Sequence, residues 1–308
     1  MPDPSAPQVP PPWVTEAVGA VQGAQRIRWG FTNESWRVTA NGGRALVVTR
    51  MADPAAARLV VQRGPAISAA LAGVGITVPI PIPIPIPEGA GPGRAVVVSA
   101  FVPGRSGMEL IGDAQAAVSL GRVVGEAWLA LSRVETAGLD LDDHWARPND
   151  LAAAARRWLD MASPSMAPAN AREVSLRIEE LPGLLAGRPS SFVHGDLVPA
   201  NVLVDDGELA ALLDLDTVRL GERLLDAAWF RWIVRYHHPD VERAAWRGFA
   251  SASGVDETDP IVGPLLETLP AVRILEVLGQ STLGAAARQR WLDQLRVYAA
   301  PSANRPAG

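Results

Sequence analysis

The chain has 308 residues, 48% of them hydrophobic, and a formal net charge of −5, which suits one two-lobed protein or two domains with a sizeable core. All 28 basic side chains are arginines, scattered along the chain, so there is no basic footprint for nucleic acid; no cysteine occurs, so disulfides and thiolate metal sites are excluded. No run of about 18 apolar residues is free of proline or charge, which argues against a membrane span.

In chain order, residues 1–12 form a proline-rich stretch with neither a positive start nor an apolar core, so a frayed tail is expected in place of a secretory signal. The cytoplasm is the expected compartment. From Gly30 to Val38 a glycine with small polar neighbours, Asn33 and Ser35 among them, lies between strand-like runs. After Asn41-Gly42-Gly43 the alternation from Arg44 to Arg50 predicts a return strand. Asp53-Pro54 opens a helix by N-cap and first-turn proline logic. The stretch Ala55 to Leu71 carries no acidic residue, Gln62 is the nearest polar stand-in, and Gly64-Pro65 is expected to break or kink the helix.

Val78 to Pro87 alternates proline with isoleucine or valine, so every second residue lacks an amide hydrogen. Polyproline II, or an edge strand with its prolines facing solvent, is expected as a stiff connector. Arg94 to Gly104 reads as a buried strand ending in a Pro-Gly turn. Helices are predicted at 114–135, 150–162, 171–185, 225–236, 240–253 and, in pieces, 261–299. Strands early and helices late make the fold class α+β, with a small sheet-containing N-lobe over 13–102 and a larger helical C-lobe over 103–308. Most of the ten tryptophans are expected in the core. Asp140, Asp142 and Asp143 form an acidic cluster, read first as a solvated loop and second as an attractor for a cationic molecule.

The most informative stretch is His194-Gly195-Asp196-Leu197-Val198-Pro199-Ala200-Asn201, followed by Asp214 thirteen residues on. Strand-like runs 201–205 and 208–214 flank Asp206-Gly207, a strong two-residue turn signal. If Asp205 pairs with Glu208, the register places Asn201 opposite Leu212 and Asp214 diagonal to it on the same face, roughly 7–8 Å away. Two oxygen donors so placed suit a hard cation such as Mg²⁺, which leaves further positions to water and phosphate. Asp196, just before the hairpin, can reach an acceptor hydroxyl as base or positioner; an Asp, an Asn and a second Asp at this spacing is how kinases arrange one base and two metal ligands. His194 is read as a packing residue of that loop.

The segment from Phe192 to Phe230 resembles the aminoglycoside phosphotransferase family of small-molecule kinases. The first family motif is matched by His194-Gly195-Asp196 to Asn201, the second by Asp214, Gly221 and Asp226-Ala227-Ala228-Trp229-Phe230. The resemblance implies a two-lobed protein-kinase-like fold, with Gly30, Asn33 and Ser35 in the nucleotide-covering loop and Arg50 as the phosphate-binding basic residue. It also implies adenine contacts from the backbone around Ser99 and Phe101. Two departures stand out: arginine replaces the usual lysine, and the helix glutamate that would pair with it is missing.

The expected activity is Mg²⁺-dependent transfer of the γ-phosphate of ATP or GTP to a small-molecule hydroxyl, with an aminoglycoside-type antibiotic as the leading acceptor. The alternatives are a macrolide, a metabolite such as homoserine, choline or a sugar, or nucleotide binding without turnover. Only eleven residues separate Asp214 from Asp226, which leaves no room for a long peptide-docking segment. Nucleic-acid and membrane partners are not expected, and the sequence is silent on oligomeric state.

Overall fold

The computed structural model describes residues 8–27, 33–82, 95–279 and 284–299. In chain order the first elements are α1 (Pro12–Val18), β1 (Val21–Arg26), β2 (Glu34–Ala40), β3 (Ala45–Met51), α2 (Pro54–Ala72), β4 (Pro81–Ile82), β5 (Ala95–Ala100) and β6 (Arg105–Ser106). There follow α3 (Gly107–Leu110), α4 (Ala114–Leu131), α5 (Pro148–Ala162), α6 (Pro168–Leu185), β7 (Ser191–Val193), β8 (Val202–Asp205) and β9 (Glu208–Leu212). The last are β10 (Arg219–Gly221), α7 (Leu224–His237), α8 (Glu242–Ser253), α9 (Val262–Gly279) and α10 (Ala285–Ala299). The early sheet and late helices match the expected α+β class, and no described helix is long and apolar enough to cross a membrane.

The chain divides into two compact units. The first holds residues 1–107, 135–140 and 200–217, with a five-stranded antiparallel sheet in the order β1-β2-β3-β5-β4. Period-two alternation sorts its side chains onto two faces. Trp36, Val38, Leu46, Val48 and Val98 cluster with Val14 of α1, whereas Met51, Ala95 and Val97 pack on Ala57 of α2. Gln8 N–H, within the proline-rich stretch, donates to Ala24 O at 2.9 Å.

Asp53 caps α2 as its sequence implies, its carboxylate accepting the Ala55 N–H at 2.8 Å. Of the break or kink expected at Gly64-Pro65, the break does not occur: α2 runs from Pro54 to Ala72 with Pro65 inside it. Proline in a helix forfeits a backbone bond, and here tertiary packing overrides the break. Gly64 is buried, and a Cβ there would stand 3.0 Å from the Pro81 ring. Pro81 and Ile82 pair with Ser99 and Val98 at the sheet edge, the position proline tolerates. The remainder of the proline-isoleucine repeat lies outside the described residues.

The β8–β9 hairpin also belongs to this first unit, where Leu212 N–H donates to Thr77 O at 3.0 Å; a division at residue 103 counts it with the helices.

The second unit, residues 108–134, 141–199 and 218–308, carries the later helices and the short β7–β10 ladder. Helices α4 and α8 meet backbone to backbone. A Cβ at Gly121 would stand 2.0 Å from Ala245 O, and one at Gly248 would stand 2.1 Å from Val118 O. Trp128, Phe230 and Phe249 fill the adjoining core, the Phe230 and Phe249 rings stacking at 5.5 Å.

Gly121→Ala is expected to destabilise the protein by about 1–3 kcal/mol, because the added methyl forces α4 from α8. Gly183→Ala near the end of α6, where a Cβ meets nothing within 4 Å, should instead be stabilising by up to about 1 kcal/mol. Thermal unfolding of both variants checks this.

Candidate functional site

The loop bearing Asp196 leaves β7 after the buried pair Phe192-Val193. His194 is fully buried and Gly195 turns the chain with φ +78°, a conformation that favours glycine. The backbone of this turn is held by one carboxylate: Asp226, 1% exposed in the first turn of α7, accepts His194 N–H on Oδ2 and Gly195 N–H on Oδ1, each at 2.8 Å. Burial pushes the Asp226 carboxyl up from its ordinary range, against the two amides and the nearby His194 and Arg219. The position at the N-terminus of α7 also favours a negative charge. His194 Nδ1 accepts the Asp196 N–H at 3.3 Å, the packing role expected of it.

The Asp196 carboxylate is itself engaged: its Oδ1 accepts the indole N–H of Trp229 at 2.8 Å. Behind the loop, Arg273 of α9 donates from Nε to Gly195 O at 3.2 Å and from Nη1 to Glu276 at 2.6 Å. Glu276 also receives Arg219 at 2.7 Å and the Trp145 indole at 3.1 Å. Burial would raise the Glu276 carboxyl, but the Arg273 and Arg219 guanidiniums outweigh it and hold it below its ordinary range. Sequence reasoning passed over Arg273 and Glu276. Their signal was a lone Arg and Glu three residues apart inside the apolar run Leu269-Pro270-Ala271-Val272-Arg273-Ile274-Leu275-Glu276-Val277-Leu278, since buried charges in such runs are rarely unpaired.

The hairpin forms with the expected Asp206-Gly207 turn, both residues at positive φ, and Asp205 pairs with Glu208. Its register then departs from the sequence expectation. Val204 pairs with Leu209 but Leu203 pairs with Ala211, so Ala210 is an extra residue in a β-bulge. The shift places Val202 opposite Leu212 and brings Asn201 to Leu213, whose N–H donates to Asn201 O at 2.8 Å. Asn201 therefore does not face Leu212. Asp214, the next residue, leaves the strand at φ +62°, in the left-handed region where a non-glycine residue often marks a functional site.

Asn201 and Asp214 thus leave adjoining backbone positions as an amide and a carboxylate oxygen donor. Among the described residues no group of three or more His, Asp or Glu forms a metal cage. A pair of oxygen donors nevertheless fits Mg²⁺, which is commonly bound by one or two protein groups with phosphate and water completing the shell.

Of the nucleotide-facing candidates, Gly30 lies outside the described residues. Asn33 Oδ1 accepts Ala52 N–H at 3.1 Å, tying the start of β2 to the end of β3. Ser35 and Thr49 hydroxyls meet across those strands at 2.9 Å. Arg50 pairs with its cross-strand neighbour Glu34 and lies 5.0 Å from the centre of the Trp13 ring. It therefore shares the α1 face with Val48, opposite Met51 and α2, which explains how a helix without a glutamate leaves this arginine still paired. Ser99 lies in the ladder opposite Val47, while Phe101 N–H donates to Ala45 O at 3.2 Å and the Arg37 guanidinium covers its ring at 4.0 Å. The acidic residues of the second acceptor reading are each matched by a base: Asp140 by Arg63, Asp142 by His144 and Asp143 by Arg147.

A depressed folded-state pKa contributes stability that is present above the ordinary value, here 4.5, and lost as pH falls through the folded value. Glu276→Gln should therefore lower stability at neutral pH by about 3–5 kcal/mol, the cost of leaving buried guanidiniums uncompensated. It should also flatten the decline below pH 4.5, read as Tm against pH for both proteins.

Residues 23–260 match the model of the phosphotransferase enzyme family. A homoserine kinase of Gluconobacter oxydans is 27% identical over 195 residues, a match covering 59% of this chain. The chain spans 58% of the length of that curated relative. Among solved structures, an aminoglycoside 2′-phosphotransferase-IIIa in complex with GDP superposes with a TM-score of 0.67 at 17% identity, covering 91% of this chain and 93% of its own. Macrolide 2′-phosphotransferase MphH from Brachybacterium faecium gives 0.58 at 18%, over 92% and 95%. A thermostable mutant of aminoglycoside phosphotransferase APH(4)-Ia in ternary complex with AMP-PNP and hygromycin B gives 0.63 at 18%, over 93% and 96%. With the family model matching residues 23–260, most of the chain, together with a kinase-like fold and both motifs in order, the chain belongs to the aminoglycoside phosphotransferase family of phosphotransferase enzymes.

Proposed function

We propose that this protein transfers the γ-phosphoryl group of ATP or GTP to a hydroxyl of a small molecule, an aminoglycoside-type antibiotic being the leading acceptor. The observation that carries the reading is the Asp196 loop, whose backbone is clamped by a buried carboxylate so that its own carboxylate is presented in one orientation. Asp196 accepts the proton of the attacking hydroxyl and orients it. Asn201 and Asp214 are the residues that would hold Mg²⁺, which when bound supplies charge neutralisation at the phosphates. Arg50 engages phosphate oxygens together with the loop carrying Gly30, Asn33 and Ser35, and backbone groups around Ser99 and Phe101 receive the base. The chemistry is positioning plus electrostatics, without a covalent enzyme intermediate. The cytoplasm, where nucleoside triphosphates are held, is the compartment we assign.

The acceptor class rests on kinship. Relatives include an aminoglycoside kinase crystallised with hygromycin B, a macrolide phosphotransferase and a homoserine kinase. Nucleotide binding without turnover is the second reading, and one observation favours it: the arginine assigned to the phosphates is paired with Glu34 and set against Trp13.

Consumption of ATP and GTP with Mg²⁺ is to be measured against kanamycin, hygromycin B, a macrolide and homoserine. Acceptor-stimulated turnover is expected, and Asp196→Ala should lower kcat by about 10²–10⁴-fold, the usual contribution of a positioned base, with nucleotide affinity unchanged. Nucleotide binding with no turnover against any acceptor would select the second reading.

A further inference from the structure

Trp229 is 2% exposed, and its N–H meets Asp196 Oδ1 at 2.8 Å. The ring cannot shift easily. Trp291 stacks on one side with centroids 5.9 Å apart and planes 20° from parallel, and the Arg273 guanidinium lies 5.9 Å from its centre. Arg273 also holds Gly195 O, so one guanidinium touches both the backbone before Asp196 and the ring that grips its side chain. A buried indole N–H needs a partner, and an ionised carboxylate is a stronger acceptor than a neutral group.

We propose that Trp229 is a positioning residue for phosphoryl transfer: its N–H takes one oxygen of Asp196 and thereby fixes the rotamer in which the carboxylate meets the acceptor hydroxyl. Asp226 orients the backbone of the same loop, and Trp229, three residues along α7, orients its side chain. That spacing places both residues on one helix face toward the loop. The inference rests on Asp196 being the base of the proposed reaction.

The test uses the full chain with whichever of kanamycin, hygromycin B, a macrolide or homoserine the wild type phosphorylates fastest. Trp229→Phe keeps a ring and removes the donor. It should lower kcat by about 10–100-fold, the scale of a misplaced catalytic group, with the nucleotide KM within about 2-fold of wild type. If the smaller ring unsettles the fold, benzothienylalanine at 229 replaces N–H by sulfur at nearly constant shape and should reproduce the loss of kcat, whereas 7-azatryptophan keeps the N–H and should restore it. An acceptor-free readout is the indole proton resonance of Trp229, expected to shift in Asp196→Ala. Undiminished kcat in the benzothienylalanine protein overturns the assignment, as does an unmoved indole proton. Absence of turnover by the wild type with every acceptor overturns the underlying reading, and this inference with it; turnover lost in Asp196→Ala but retained without the donor overturns only the role of Trp229.

Discussion

A carboxylate in a nearly dry interior, accepting two consecutive backbone amides, is the interaction on which the rest of the candidate site depends. Without Asp226 the N–H groups of His194 and Gly195 would be buried donors lacking their partner, each penalised by about 1–3 kcal/mol. With it, the chain can leave β7, reverse through a left-handed glycine and project Asp196 from a fixed backbone. Burial disfavours the charged form, while the two amides and the N-terminus of α7 favour it. Local preorganisation of this kind supplies orientation before any substrate arrives.

Around that clamp sits a second layer built from arginines and indoles. Glu276 gathers Arg219, Arg273 and the Trp145 N–H, and Arg273 passes the constraint to Gly195 O. Such a network stabilises only when every member is satisfied, and against the effect of burial the Arg273 and Arg219 guanidiniums with the Arg219 and Trp145 hydrogen bonds hold the Glu276 carboxyl below its ordinary range. Among the described tryptophans, Trp36, Trp128, Trp145, Trp229, Trp232 and Trp246 are buried, yet several have polar tasks: Trp128 donates to Arg223 O, Trp145 to Glu276, Trp229 to Asp196 and Trp232 to Gln294.

The first unit shows how a missing residue is accommodated. In a chain without lysine, Arg50 lies next to the end of β3 where the resemblance expects a phosphate-binding cation, and α2 has no glutamate. Alternation along β3 sets Arg50 on the face opposite that helix, where Glu34 of the neighbouring strand is its direct cross-strand partner. The pairing follows from strand register, which no inspection of helix composition reveals.

Elements governed by local chemistry were legible in the sequence by itself: the Asp53 cap, the Asp206-Gly207 turn, the edge placement of Pro81 and the order of strands before helices. Of the candidate site, the chain spacing of Asp196, Asn201 and Asp214 and the turn of the hairpin were legible, whereas their roles as base and metal ligands are proposed. What tertiary structure alone decided lies in non-local packing. A bulge at Ala210 moved Asn201 from Leu212 to Leu213, and α2 ran through Pro65. Asp226 met amides about thirty residues away in sequence, and Arg273 met Gly195 from α9. Those contacts join residues far apart along the chain, and the free energy that selects them comes from satisfying buried polar groups in the packed interior.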